Sequence, residues 1–125
     1  MTRSTLRRRD AVVALLSAGI LALATGSASA ADALIYITEN SVVGVYNTTH
    51  TRNGKVGVPD LVVRDAIVAD CWGRGDNIDN HGNVWYHTRS ERYTARNQEQ
   101  FVVGWTYGGY VDSNEAFHSG AIEEC

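Results

Sequence analysis

Two cysteines, four histidines and a scatter of carboxylates are the residues of this 125-residue chain best suited to chemistry. His50, His81, His87 and His118 lie in separate segments, without the short pair spacings of a zinc site, so no metal centre is expected. The run Asp76-Asn-Ile-Asp-Asn-His-Gly-Asn83 alternates oxygen ligands as a calcium loop does, best in the register Asn77-x-Asp79-x-His81-Gly82. Imidazole suits a hard cation poorly, however, and Thr88 stands where a closing glutamate belongs. The run reads as a plain turn. A Cys71 nucleophile served by a histidine would leave Cys125 without a role, and neither Gly-x-Ser-x-Gly nor a phosphate-cradling glycine loop occurs. Glu123-Glu124 sits beside the C-terminus as a solvated pair. With no convergent set of groups, the chain is expected to be a non-enzyme without a cofactor.

The cysteines make better sense as a pair. Arg3, Arg7, Arg8 and Arg9 form a basic head, Ala11 to Ala24 an apolar run, and Ala28-x-Ala30 a small-residue cleavage signature. This predicts a signal peptide over residues 1–30, cut between Ala30 and Ala31, with Arg8-Arg9 leaving the twin-arginine route open beside the general one. The apolar run is shorter than the roughly twenty residues a spanning helix needs, and nothing after Ala31 approaches a second span, so the mature chain is expected to lack a transmembrane anchor. Export leads to an oxidising compartment, where a Cys71–Cys125 disulfide would tie the last residue to the middle of the domain. The expected location is secreted, extracellular or associated with the cell wall.

Removing the signal takes four of eleven basic residues and one of fourteen acidic ones, leaving seven against thirteen and a net charge of −6. Affinity for nucleic acid comes largely from phosphate neutralisation by Lys and Arg, so no nucleic-acid partner is expected. Residues 31–125 suffice for one domain and give a small core.

The elements that would position these residues are strands. Short segments rich in Val, Ile, Tyr, Trp and Thr stand out at 34–38, 42–46, 61–64, 66–72, 84–88, 101–107 and 110–112. Between them lie Asn53-Gly54, Gly73-Arg-Gly75, Asn80-His-Gly82-Asn83 and Gly108-Gly109, all turn-forming. Alternation puts Phe101, Val103, Trp105 and Tyr107 on one face and Val102, Gly104 and Thr106 on the other. The polar stretch Arg89 to Gln100 reads as a protruding hairpin arm with Tyr93 as its most exposed aromatic. Many short strands with Gly/Asn turns predict an all-β fold, a small barrel or sandwich.

The order of Ala66-Ile-Val-Ala-Asp-Cys-Trp72, a Gly/Asp/Asn turn, Gly82-Asn-Val-Trp-Tyr-His-Thr88 and Val103-Gly-Trp-Thr-Tyr-Gly-Gly-Tyr-Val111 resembles the bacterial SH3-like domains of secreted actinobacterial proteins. The resemblance covers about residues 42–112. It implies a small SH3-like β-barrel over residues 31–125, with the tail after Asp112 tethered by the disulfide, acting as a monomer that binds cell-wall peptidoglycan or a peptide segment. The family's opening Arg-Ser-Gly-Pro element is missing; Val45-Tyr-Asn-Thr-Thr-His-Thr-Arg-Asn-Gly54 stands in its place. Aromatics beyond the needs of one small core nominate Tyr46, Trp72, Trp85, Tyr107 and Tyr110 as ligand-binding residues. A second reading, from a different class, is an inhibitor of an extracellular hydrolase that makes contact through the Arg89–Gln100 arm.

Overall fold

A computed structural model of the protein describes residues 32–125. The predicted signal peptide and its Ala30–Ala31 cleavage point lie outside the described residues. Apart from two 3-10 turns at Thr51–Asn53 and Thr94–Arg96, the elements of the described residues are β1 (Ala33–Tyr36), β2 (Val45–Tyr46), β3 (Ala66–Arg74), β4 (Val84–Tyr93), β5 (Gln98–Tyr107), α1 (Gly108–Asp112), α2 (Glu115–Ser119) and β6 (Glu123–Glu124). The sheet runs β1-β3-β4-β5-β2, with every neighbouring pair antiparallel, and β6 adds to β3 in parallel. The fold is thus mostly antiparallel β, as the branched and aromatic segments foretold.

Closure into a barrel, however, is not found. The strand path ends at β1 on one side and β2 on the other, and no ladder joins them among the described residues. The connecting chain explains why. After β1, Ile37 and Thr38 leave the sheet, their amides donating to Asp65 and Val111 carbonyls at 2.8 Å. The long connection from β1 to β3 reaches the sheet only through two paired residues at β2, flanked by isolated bridges Val43–Leu61 and Tyr46–Lys55.

Two expected strands take other forms. Leu61 to Arg64 is a turn: the Asp65 carboxylate accepts the Val62 amide at 2.9 Å, the Asp65 amide donates to the Val62 carbonyl at 3.0 Å, and Arg64 has φ 82°. Turn chemistry supplied by one aspartate overrides the branched side chains, and Val62 and Val63 are left exposed. Tyr110 to Asp112 belongs to helix α1. Three residues are too few to carry a period, and the helix puts Val111 into the core and Asp112 under α2. There Asp112 accepts the Tyr86 hydroxyl at 2.8 Å and the Ala116 amide at 3.0 Å, while burial holds its carboxyl above the usual range.

The core lies on one face of the sheet, where Ile35, Ile67, Ala69, Val84 and Tyr86 meet Ile37, Val43, Leu61, Val111, Ala116 and Ile122. The Cys71–Cys125 disulfide is present, with a sequence separation of 54. On a chain-entropy model, a loop of that length stabilises by about 4 kcal/mol. β6 supports it, the Cys125 amide donating to the Trp72 carbonyl at 2.9 Å. No helix among the described residues is long and apolar enough to cross a membrane.

Candidate functional site

The opposite face of the sheet carries the aromatics of interest. Cross-strand pairing sets Tyr46 beside Trp105, Trp105 beside His87, and Trp85 beside Tyr107, and directly opposed residues share a face. Edge-to-face or tilted ring contacts result, with centroids 5.7 Å apart for Tyr46–Trp85, 5.2 Å for Trp85–Tyr107, 5.0 Å for Tyr107–Tyr110 and 4.9 Å for His87–Trp105. The face changes character along its length. Near the Asp76–Asn83 loop it is covered, and further along β5 it is open.

At the covered end Trp85 is fully buried and its indole N–H donates to the Asp76 carbonyl at 3.0 Å. The buried Tyr107 hydroxyl donates to the Gly82 carbonyl at 2.6 Å and accepts the Ile78 amide at 3.2 Å. Its loss of solvent raises its pKa. Tyr110 donates to the Asp79 carboxylate, a bond that pushes its hydroxyl up to about 12. Asp76 accepts His50 at 2.8 Å and the Thr51 amide at 2.9 Å, and the His50 bond leads the causes that hold its carboxyl below the usual range. Gly75 completes the clasp, since a Cβ there would lie 2.0 Å from the Thr49 carbonyl oxygen. The oxygen-rich run is therefore a loop whose carboxylates serve its neighbours.

Of the five nominated ligand-binding aromatics, the structure brings Tyr46, Trp85, Tyr107 and Tyr110 together, but not as an exposed strip. Trp85 and Tyr107 are buried, which corrects their expected role: their polar atoms hold a loop. Tyr46 and Tyr110 are half-buried at the two ends of the row. Trp72 stands apart on the core side, its ring 4.8 Å from Phe117 and under the Arg74 guanidinium at 4.9 Å.

The open end carries residues that sequence reasoning left off the site. Phe101 is 91% exposed and Val103 69%, on the same face as the half-buried Trp105. With His87 and Tyr46 they form one apolar and aromatic strip. Alternation groups these residues correctly; ring size alone would assign Trp105 to the core, whereas it is half-buried on the open face. The small residues opposite, Gly104 and Thr106, are the signal that points inward: a Cβ on Gly104 would lie 2.6 Å from the Tyr46 carbonyl oxygen. Arg89–Gln100 is indeed a hairpin, made by the ends of β4 and β5 around the turn at Thr94–Arg96, but Tyr93 is not its exposed aromatic: it is buried at 5% exposure, with its hydroxyl on Glu91 and Arg96 4.4 Å over its ring.

His87 and Asp70 form a hydrogen-bonded pair at 2.8 Å beside this strip. The Asp70 carboxylate holds the Nδ1 side of the ring, and Nε2 takes no part in this bond. Cys71 lies within 4.8 Å of both, but its sulfur is bonded to Cys125 and offers no thiolate to a metal or a substrate.

Inside the same part of the sheet sits a buried carboxyl. Glu91 has no exposed surface, and its Oε2 has no hydrogen-bond partner. Burial, reinforced by Asp60 and Asp65 and opposed by the Tyr93 hydroxyl, pushes it up to about 7. No family model matches this chain, and it has no match among the curated proteins or the solved structures.

Proposed function

We propose that the protein is a secreted, non-enzymatic recognition module of the SH3-like kind, which binds a peptide segment, free or in cell-wall peptidoglycan, along the open face of β5. The observation that carries this reading is the strip itself. A small domain that leaves Phe101 at 91% exposure beside Val103 and Trp105 displays apolar area of the kind that marks binding surfaces. Trp105 and Tyr46 offer ring faces to a ligand, and the His87–Asp70 pair offers polar atoms at the border. The basic head and small-residue cleavage signature support export, and the disulfide is compatible with an oxidising destination. The net charge of −6 favours neutral or basic ligands.

Retention of residues 31–125 on purified peptidoglycan, with Trp105→Ala as the comparison, tests the proposal. Retention at low salt that Trp105→Ala reduces at least about tenfold, roughly what loss of a central aromatic anchor costs, is the expected result. Absence of retention, or equal retention of both proteins, removes the wall-binding reading. The position of Phe101 near the tip of the β4–β5 hairpin favours a second reading, an inhibitor of an extracellular hydrolase. Stoichiometric co-purification with such an enzyme, lost in Phe101→Ala, would select it.

A further inference from the structure

Beside the disulfide the β3–β4 ladder is interrupted. Ala69 pairs with Thr88 and Cys71 with His87, so Asp70 has no partner on β4. Two residues of β3 answer one of β4, the arrangement of a β-bulge. In a regular strand Asp70 and Cys71 would point to opposite faces. Here they converge on His87: Asp70 Oδ1 lies 2.8 Å from His87 Nδ1 and 3.4 Å from Cys71 Sγ. Donor atoms of all three residues lie within 4.8 Å of one another. Cys125 brings its own sulfur to the same point, bonded to that of Cys71.

The disulfide accounts for the two sulfurs and for nothing else at this point. It needs no carboxylate or imidazole beside it, and a partly exposed ion pair contributes little to stability. Both the His87 and Asp70 side chains are 27% exposed, open enough to admit an ion. Bulges re-aim side chains next to functional sites, and this one gathers two sulfurs, an imidazole nitrogen and a carboxylate oxygen. That is a donor set for tetrahedral zinc. Opening the disulfide leaves the frame in place. The Cys125 amide donates to the Trp72 carbonyl at 2.9 Å, and β6 pairs with β3 at Cys71 and Trp72, so the second sulfur stays within reach of the first.

We propose that the thiol form of this domain binds one Zn²⁺ through Cys71, Cys125, His87 and Asp70, at a site that the Cys71–Cys125 disulfide closes. This departs from the chain without a metal centre expected from the sequence. Histidine spacing misses the site because its ligands meet across β3, β4 and the C-terminal residue that follows β6. Zinc about 2.0–2.1 Å from nitrogen and oxygen and about 2.3 Å from sulfur sets tetrahedral edges of about 3.3–3.8 Å. His87 Nδ1 and Asp70 Oδ1 therefore part by about 0.5 Å to admit the ion. The chain is made with its cysteines as thiols, and zinc replaces their protons: Zn²⁺ and two Cys–SH give Zn(S–Cys)₂ and two H⁺. A disulfide oxidant later takes two electrons, with two protons, as the S–S bond forms and Zn²⁺ leaves.

The site stands independently of the recognition strip. Its test uses the mature chain reduced with a phosphine, exchanged without oxygen into phosphine-free buffer and titrated with Zn²⁺ against a chromophoric chelator. One zinc per chain is expected, with a dissociation constant on the order of 10⁻⁷ M or tighter, the weak end of structural zinc sites. The oxidised chain should bind at least about a thousandfold more weakly, because it has lost both thiolates. His87→Ala and Asp70→Asn, in the reduced form, should each weaken zinc at least about tenfold. Cobalt in place of zinc should show thiolate charge-transfer absorption and the visible bands of a tetrahedral ion. Circular dichroism on the same samples guards against binding to an unfolded chain: zinc should raise the thermal midpoint of the reduced domain, or restore its strand signal if reduction unfolds it. Zinc that binds without either effect overturns the proposal. So do equal affinities of the reduced and oxidised chains, wild-type affinity in both His87→Ala and Asp70→Asn, or one zinc shared between two chains.

Discussion

One face of one sheet behaves in two ways. At the loop end Trp85, Tyr107 and Tyr110 spend their polar atoms on the Asp76–Asn83 segment, and their rings lean on one another. A few residues along the same strand, Phe101 and Val103 stand in solvent. Both stretches share strand register and side-chain type, so propensity cannot separate them. The difference is what lies above. The Asn47–Gly54 and Asp76–Asn83 segments fold over the first region, clasped through His50–Asp76 and Gly75–Thr49, and none of the described residues covers the second. Aromatic content alone therefore does not mark a binding surface; coverage decides it.

The strongest way to break the comparison is to remove a ring from the covered end. Trp85→Ala should cost about 4 kcal/mol, from the lost burial and the cavity left behind. For a domain of this size that corresponds to a fall of roughly 20 °C in the thermal midpoint. A denaturant titration beside a calorimetric scan measures both, and a loss under 1 kcal/mol would show that the loop cover contributes little.

This contrast also explains what could be read beforehand. The strand segments at 66–72, 84–88 and 101–107 are legible because their alternating, branched and aromatic residues obey a local rule. The disulfide is legible because the chain has just two cysteines and its first thirty residues read as an export signal, which leaves few alternatives. Residues 61–64 mislead because Asp65, just outside the segment, decides their geometry through the Val62 amide. The fate of Trp85 and Trp105 is not legible at all. One is covered and the other half-open because of contacts from loops distant in sequence, and no local pattern encodes them. The order β1-β3-β4-β5-β2 and the absence of closure rest on similarly non-local pairings.

Glu91 marks the boundary on the core side and offers an effect of intermediate size. Its ordinary value is 4.5, and in the fold it is pushed up to about 7. As pH rises from 4.5 the unfolded chain releases this proton first, while the folded chain keeps it until near 7. Stability contributed at this site is therefore greatest below pH 4.5, falls through that window, and is lower by roughly 3 kcal/mol above it. Glu91→Gln cannot ionise and should remove this fall. The difference in unfolding free energy between Glu91→Gln and wild type should thus grow in favour of the variant from pH 4.5 to pH 8. Taking the difference cancels the common titrations of Asp76 and Asp112. A flat difference would mean that Glu91 is solvated in the folded protein.

The smallest effect on stability should come from the most conspicuous apolar residue. Phe101→Ala removes a ring that is 91% exposed and fills no cavity, so the unfolding free energy should stay within about 0.5 kcal/mol of wild type. The same substitution should weaken retention on peptidoglycan, because the ring lies in the proposed binding strip. Measuring both on one preparation sharpens the comparison in a way that Trp85→Ala cannot, since there folding and binding fail together. A stability loss above 1 kcal/mol would show that Phe101 is covered in the folded domain. The open stretch of β5 would then belong with the loop end, and the distinction between the two regions would fall.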